Sequence, residues 1–147
     1  MSIFSMLETS GSAMAAQRQR AEVVAANMAN ADTTRTPGGG PYHRKEVVFA
    51  SSGNSPFQIL LAGFRRLTGR SNSAVRIARV VDDPTPSVMR YEPGHPDADK
   101  NGYVAYPAIN PIAEMVDLMG AVRSYQLNAS AVSATKQMIQ GAMDILK

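Results

Sequence analysis

The stretch that most invites chemistry is Pro93-Gly94-His95-Pro96-Asp97-Ala98-Asp99-Lys100-Asn101-Gly102-Tyr103. Asp97, Asp99, Asn101 and Gly102 match the first half of a calcium loop, where alternate oxygen-bearing side chains converge on the ion and a glycine makes the sharp turn. The second half departs from that pattern. Ala108 stands where a bidentate glutamate is needed, and Pro96 and Pro107 forbid flanking helices. The expectation is a turn built from glycine, proline and aspartate. His95 beside Asp97 could serve as a ligand or an acid–base pair, but no third ligand or nucleophile stands near them in sequence. An enzyme using His95, Asp97 and Asp99 is thus the weaker reading. No catalytic, metal or cofactor site is expected.

Other motifs thin out in the same way. Thr36-Pro37-Gly38-Gly39-Gly40-Pro41 has the glycines of a phosphate-cradling loop, but no strand precedes it and no Lys-Ser/Thr follows. It reads as a turn that ends a helix. Asn128-Ala129-Ser130 matches a glycosylation acceptor but falls inside a predicted helix. The chain has no cysteine, which excludes disulfides and thiolate metal sites. Its 9 methionines fall mostly on helical seams, where they suit adaptable packing.

The formal net charge of +3 hides a pattern. Arg44, Lys45, Arg65, Arg66, Arg70, Arg76 and Arg79 face only Glu46 between residues 44 and 79. Asp82, Asp83, Glu92, Asp97 and Asp99 then face only Arg90 and Lys100. A basic stretch followed by an acidic one is a solvated surface or a pair of complementary contacts between copies or with an acidic partner. The arginines carry no aromatic stacking platform or reading helix, so nucleic acid is not an expected partner. Met1–Arg20 contains no apolar run of signal-peptide length, and no stretch approaches the ~18 apolar residues of a membrane span.

Two long helices organise the chain. From Met115, steps of three and four reach Leu118, Val122, Tyr125, Ala129, Val132, Lys136, Ile139, Met143 and Leu146. Only Lys136 breaks this apolar heptad seam, which a helix must bury against another helix. Asn110 as N-cap, Pro111 at the first helical position and Glu114 and Asp117 behind it mark the start. The rod that follows is roughly 55 Å long at the α-helical rise. Near the N-terminus, Ile3, Leu7, Ser10, Met14, Gln17, Ala21, Val24 and Met28 repeat the spacing over about residues 3–31. This seam is thin and suits close packing better than a greasy core.

Between the helices, Glu46–Ala50, Val75–Val81 and Val88–Tyr91 read as short strands, and Phe57–Leu67 as a possible short amphipathic helix. The expected fold is therefore mainly α. The N- and C-terminal helices pack as an antiparallel coiled coil, and a small β-rich module is looped out between them. The expected divisions are 1–32, 33–109 and 110–147.

Several strings together resemble a known family. They are Asn27 and Asn30 at the end of helix one, Tyr91–Pro107, Glu114-Met115-Val116-Asp117, Arg123-Ser124-Tyr125-Gln126 with Asn128, and Lys136 with Met138. The chain is similar to flagellar basal-body rod proteins over residues 1–50 and 75–147. The middle string narrows the likeness to the proximal-rod type. Met28 stands where the family usually has leucine, a volume-conserving change. The resemblance implies a non-enzymatic structural subunit, exported unfolded through the flagellar type III apparatus without a cleaved signal. It implies polymerisation in the periplasm, through the terminal helices, into the helical rod that transmits torque. The implied partners are other copies of the chain, other rod proteins and the export apparatus. The expected interface residues are Leu7, Met14, Asn27, Asn30, Val122, Tyr125, Asn128, Val132, Met138 and Ile139. A soluble helical binding or adaptor module is the alternative.

Overall fold

The computed structural model describes residues 3–51 and 74–145. Within them lie two long helices, α1 (Ile3–Ala29) and α2 (Pro111–Ile145), and four strands, β1 (Lys45–Ser51), β2 (Val75–Asp82), β3 (Val88–Tyr91) and β4 (Tyr103–Tyr106). Strands β1 and β2 form one two-stranded sheet, and β3 and β4 another. The first three strands fall where the sequence places them. The short helix expected over Phe57–Leu67 lies outside the described residues. Strand β4 has no counterpart in the sequence reading.

Helix α2 begins as its residues dictate. The Asn110 side-chain oxygen accepts from the backbone N–H groups of Ile112 at 3.0 Å and Ala113 at 3.4 Å, satisfying donors that have no intrahelical partner. Pro111 follows with its fixed φ. Helix α1 stops at Ala29. There the Asn30 side-chain amide donates to the Ala26 carbonyl at 2.8 Å, closing an orphan acceptor of the last turn. The Asn30 side-chain oxygen accepts from the Thr33 hydroxyl at 3.2 Å, which helps turn the chain.

The chain divides into two compact units, each drawing on both helices. One comprises residues 1–18, 49–78 and 122–147; the other comprises 19–48 and 79–121. In the first, the Thr135 hydroxyl reaches the Met6 sulfur at 3.3 Å, and the Ser12 hydroxyl oxygen accepts from the Val75 backbone N–H at 3.1 Å. In the second, Arg20 meets Asp117 at 3.1 Å and Asn27 meets Glu114 at 3.1 Å.

The seam expected on α2 needs correction. Met115, Val122, Tyr125 and Met143 are exposed, as is Lys136, while Leu118, Ala129, Val132 and Ile139 are half-buried. Leu146 lies outside the described residues. The buried positions are Glu114, Ala121 and Thr135, with Asn128 half-buried among them. This stripe also repeats every seven residues but is turned by one residue, about 100° round the helix. The reason lies in the facing helix. The buried positions of α1 are Ser10, Ala16, Val24 and Asn27, small or polar for the most part. Small and hydrogen-bonding side chains on α2 suit such a surface, as where Glu114 meets Asn27 at 3.1 Å and Thr135 meets the Met6 sulfur at 3.3 Å, whereas a methionine ridge there would need more room.

The β3–β4 hairpin is antiparallel, pairing Val88 with Tyr106, Met89 with Ala105, Arg90 with Val104 and Tyr91 with Tyr103. Alternation sends Val104 and Tyr106 inward, where both are buried. Arg90 lies 4.6 Å over the Tyr106 ring on that face. Met89, Tyr91 and Tyr103 occupy the opposite, exposed face. Gly102 closes the hairpin with a φ of 81°, and a Cβ there would meet the Tyr91 ring at 2.9 Å.

Candidate functional site

The densest polar constellation joins the end of α1, the start of β1 and the first turn of α2. Asn27, 1% exposed, is its centre. Its side-chain amide donates to the Lys45 carbonyl at 2.9 Å and to Glu114 Oε2 at 3.1 Å. Its side-chain oxygen accepts from the Lys45 backbone N–H at 2.9 Å and from the Tyr42 hydroxyl at 3.2 Å. An asparagine amide has two donor hydrogens and two acceptor lone pairs, and here all are engaged. The exchange with Lys45 imitates a strand pair, so the side chain supplies β1 with partners before any strand does.

Glu114, also 1% exposed, continues the network. Its Oε1 accepts from Arg44 Nε at 2.6 Å, a short charge-assisted bond. Arg44 also bonds Glu46, lies 3.6 Å from Asp83 and 3.9 Å from Asp117. Asp117 in turn takes Arg20 at 3.1 Å. Burial by itself would lower the Arg44 pKa. Hydrogen bonds to Glu114 and Glu46, reinforced by their charges, outweigh it and hold the guanidinium above its ordinary value. Burial pushes the Tyr42 phenol up, and the charges of Asp82 and Glu114 add to the effect. Asp83 accepts from the Thr85 hydroxyl at 2.6 Å and the Thr85 backbone N–H at 2.9 Å, and these bonds lower its pKa, with Arg44 assisting.

This arrangement holds segments together. Its carboxylates are turned onto arginine and amide partners, Glu114 onto Arg44 and Asn27 and Asp117 onto Arg20. The polar side chains of the 93–103 stretch are likewise held by protein partners. Asp99 Oδ1 accepts from the backbone N–H groups of Asn101 and Tyr103, both at 2.8 Å. Asp97 takes the Thr34 hydroxyl at 2.8 Å and lies 3.5 Å from Arg35. His95 Nδ1 accepts from the Asp97 backbone N–H at 3.1 Å. The calcium-like spacing is thus a hairpin loop. Among the described residues no three His, Asp or Glu side chains gather as a metal site.

Of the expected interface residues, Asn27 is buried, while Leu7, Met14, Asn30, Asn128, Val132 and Ile139 are half-buried. Val122, Tyr125 and Met138 are exposed. The Asn128 amide folds back onto the Ser124 carbonyl at 2.8 Å. The two asparagines that end α1 divide their roles: Asn30 caps, and Asn27 crosses to β1 and α2. Sequence reasoning took Glu114 only for a helix-start and family-string residue and Arg44 only for part of the basic stretch, and it did not single out Tyr42. The available signal was the pair Glu114 and Asp117, two acids one turn apart, set against Arg20 and Arg44 in a chain whose acids are few.

Comparison with known proteins bears directly on this architecture. The flagella basal body rod protein family profile matches residues 7–35, and the profile of the flagellar basal body rod FlgEFG protein C-terminal region matches residues 100–145. These matches hold most of α1 and all of α2, including Asn27 and Glu114. The chain belongs to the flagellar basal-body rod proteins. Within that family it is similar to the flagellar basal-body rod protein FlgC of Borreliella burgdorferi, 36% identical over 100% of this chain and 99% of that protein. The Bacillus subtilis FlgC is 39% identical over the full length of both chains, and the Salmonella typhimurium FlgC 39% identical over 95% of this chain and 94% of its own. The likeness to the proximal-rod type, drawn from Tyr91–Pro107, agrees with these relatives.

Proposed function

We propose that the chain is a structural subunit of the flagellar basal-body rod, with no catalytic activity, that polymerises through its terminal helices into the shaft that transmits torque. The observation that carries this reading is the end-to-end similarity to FlgC proteins. The division of α2 into a polar inner stripe and an apolar outer one supports it. Ile112, Met115, Val116 and Met119, at spacing i, i+3, i+4 and i+7, share a face and are 51–76% exposed. A monomer gains nothing from such a ridge; an assembly buries it.

The finer reading is that α1 and α2 pair as an antiparallel coiled coil. The pairs Arg20–Asp117 and Asn27–Glu114 support it, since the numbers rise along one helix as they fall along the other. Residues 1–32 and 110–147 then form the helical layer, and 33–109 the module carried outside it. Leu7, Met14, Asn30, Val122, Tyr125, Asn128, Val132, Met138 and Ile139 remain the proposed contact set, while Asn27, buried and fully bonded within the chain, serves the fold instead. Export through the flagellar type III apparatus without a cleaved signal, and residence in the periplasmic rod beside other rod proteins, follow from the same reading. No helix among the described residues is long and apolar enough to cross a membrane. Deleting the gene and examining basal bodies by electron microscopy tests it. Loss of complete rods and of swimming, restored by the intact gene, is expected. Motile cells with normal basal bodies would refute it.

A further inference from the structure

The second unit exposes two apolar surfaces of different kind. One is the α2 ridge of Ile112, Met115, Val116 and Met119. It carries no charge, because Glu114 and Asp117 are turned to the opposite side onto Arg44, Asn27 and Arg20. The other is the outward face of the β3–β4 hairpin, Met89, Tyr91 and Tyr103, with the two tyrosine rings edge to face at 5.3 Å. Both surfaces are open in the single chain, so neither covers the other.

We infer that these two surfaces are the halves of one contact between successive copies, the α2 ridge of one chain lying on the hairpin face of the next. The inference rests on the rod reading and adds to it the surfaces that meet. Two observations carry it. The first is symmetry. A ridge-on-ridge contact would be isologous, closing a pair and burying the surface needed for growth. Two unlike patches on one chain make a head-to-tail contact that repeats without closing. The second is chemistry. The ridge offers flexible thioethers at Met115 and Met119, and the hairpin offers tyrosine rings held in place by cross-strand pairing. Sulfur against aromatic edge is a favourable and adaptable contact.

The absence of cysteine allows a direct test in cells lacking the native gene. Three strains carry Met119→Cys alone, Tyr103→Cys alone, or both proteins together, and are treated with a short bis-maleimide. A second pair, Val116→Cys with Met89→Cys, guards against an unfavourable thiol geometry. The expected result is a linked dimer in the mixed strains and its loss in the single-variant strains. A dimer in the Met119→Cys strain alone would overturn the inference in favour of ridge-on-ridge pairing. No dimer in either mixed strain, when both variants are present in purified basal bodies, would overturn it while leaving the rod reading intact. Absence of the unsubstituted protein from basal bodies would overturn the rod reading and the contact with it.

Discussion

The loop between β3 and β4 and the junction around Asn27 are both rich in carboxylates and amides, and they use them in opposite ways. In the loop, Asp99 bonds backbone groups two and four residues away, and His95 bonds one two residues away. In the junction, Asn27 bonds partners 18 and 87 residues away. The loop is held mainly by bonds to its own backbone, with Asp97 reaching out to Thr34. The junction exists only when the two ends of the chain have met, and it therefore reports that the fold is complete. Polar residues in a row advertise a site and make a turn; polar residues far apart look like ordinary surface and make the lock.

That contrast can be broken at either end. Glu114→Ala should have the largest effect. It leaves Arg44 without its buried partner and one Asn27 donor unmatched. Losing one member of a buried pair costs roughly 3–5 kcal/mol, and Glu46 and Asp83 keep the expected loss near the lower figure. Denaturant unfolding of the purified protein measures it, and a loss under about 1 kcal/mol would show the junction to be ornamental. Asn27→Ala orphans the Lys45 N–H and C=O and should cost about 2–3 kcal/mol. Asn27→Asp should be at least as damaging despite its shape, because an oxygen would replace the amide nitrogen that now lies 3.1 Å from Glu114. By contrast Asn30→Ala, at a plain cap, should cost about 1 kcal/mol or less.

Effects in the loop should be smaller and stay local. Gly102→Ala combines a positive φ with a clash against Tyr91, and should cost about 1–2 kcal/mol, read as loosened hairpin amides by hydrogen exchange. Calcium should leave the thermal midpoint of the protein unmoved, since the loop's carboxylates already hold backbone and Thr34. A calcium-dependent rise would restore the metal reading. The smallest effect concerns pH. Asp83 has its pKa lowered on folding, so its contribution to stability is present above the ordinary carboxylate range and fades as pH falls through the lowered value. Asp83→Asn should flatten the acid limb of the stability profile, and an unchanged acid limb would show that the Thr85 bonds carry no linkage.

Much of the architecture was legible because its signals are local. Asn110-Pro111 announced the start of α2, and the caps and turns after Ala29 announced the end of α1. Alternation gave β2, whose Val75, Ile77 and Val81 are half-buried while Arg76 and Arg79 are exposed. Strand β4 escaped notice because it is four residues long, hemmed between Gly102 and Pro107, and takes its strand character from pairing with β3. The inner face of α2 escaped for a deeper reason. Apolar periodicity identifies a stripe that avoids water, but it does not say whose surface covers it. Met115, Leu118, Val122 and Tyr125 made the louder pattern, while Glu114, Ala121 and Thr135 are the positions the folded chain buries.

The central claim is that α2 folds the subunit with one face and joins subunits with the other. Incorporation of a Val116→Asp protein into basal bodies, scored beside its unfolding free energy, tests this most directly. The account predicts a stability within about 0.5 kcal/mol of the parent, as for a surface change, together with normal export and failure to enter the rod. A Val116→Asp protein that builds rods like the parent, or that unfolds as readily as Glu114→Ala, would contradict it.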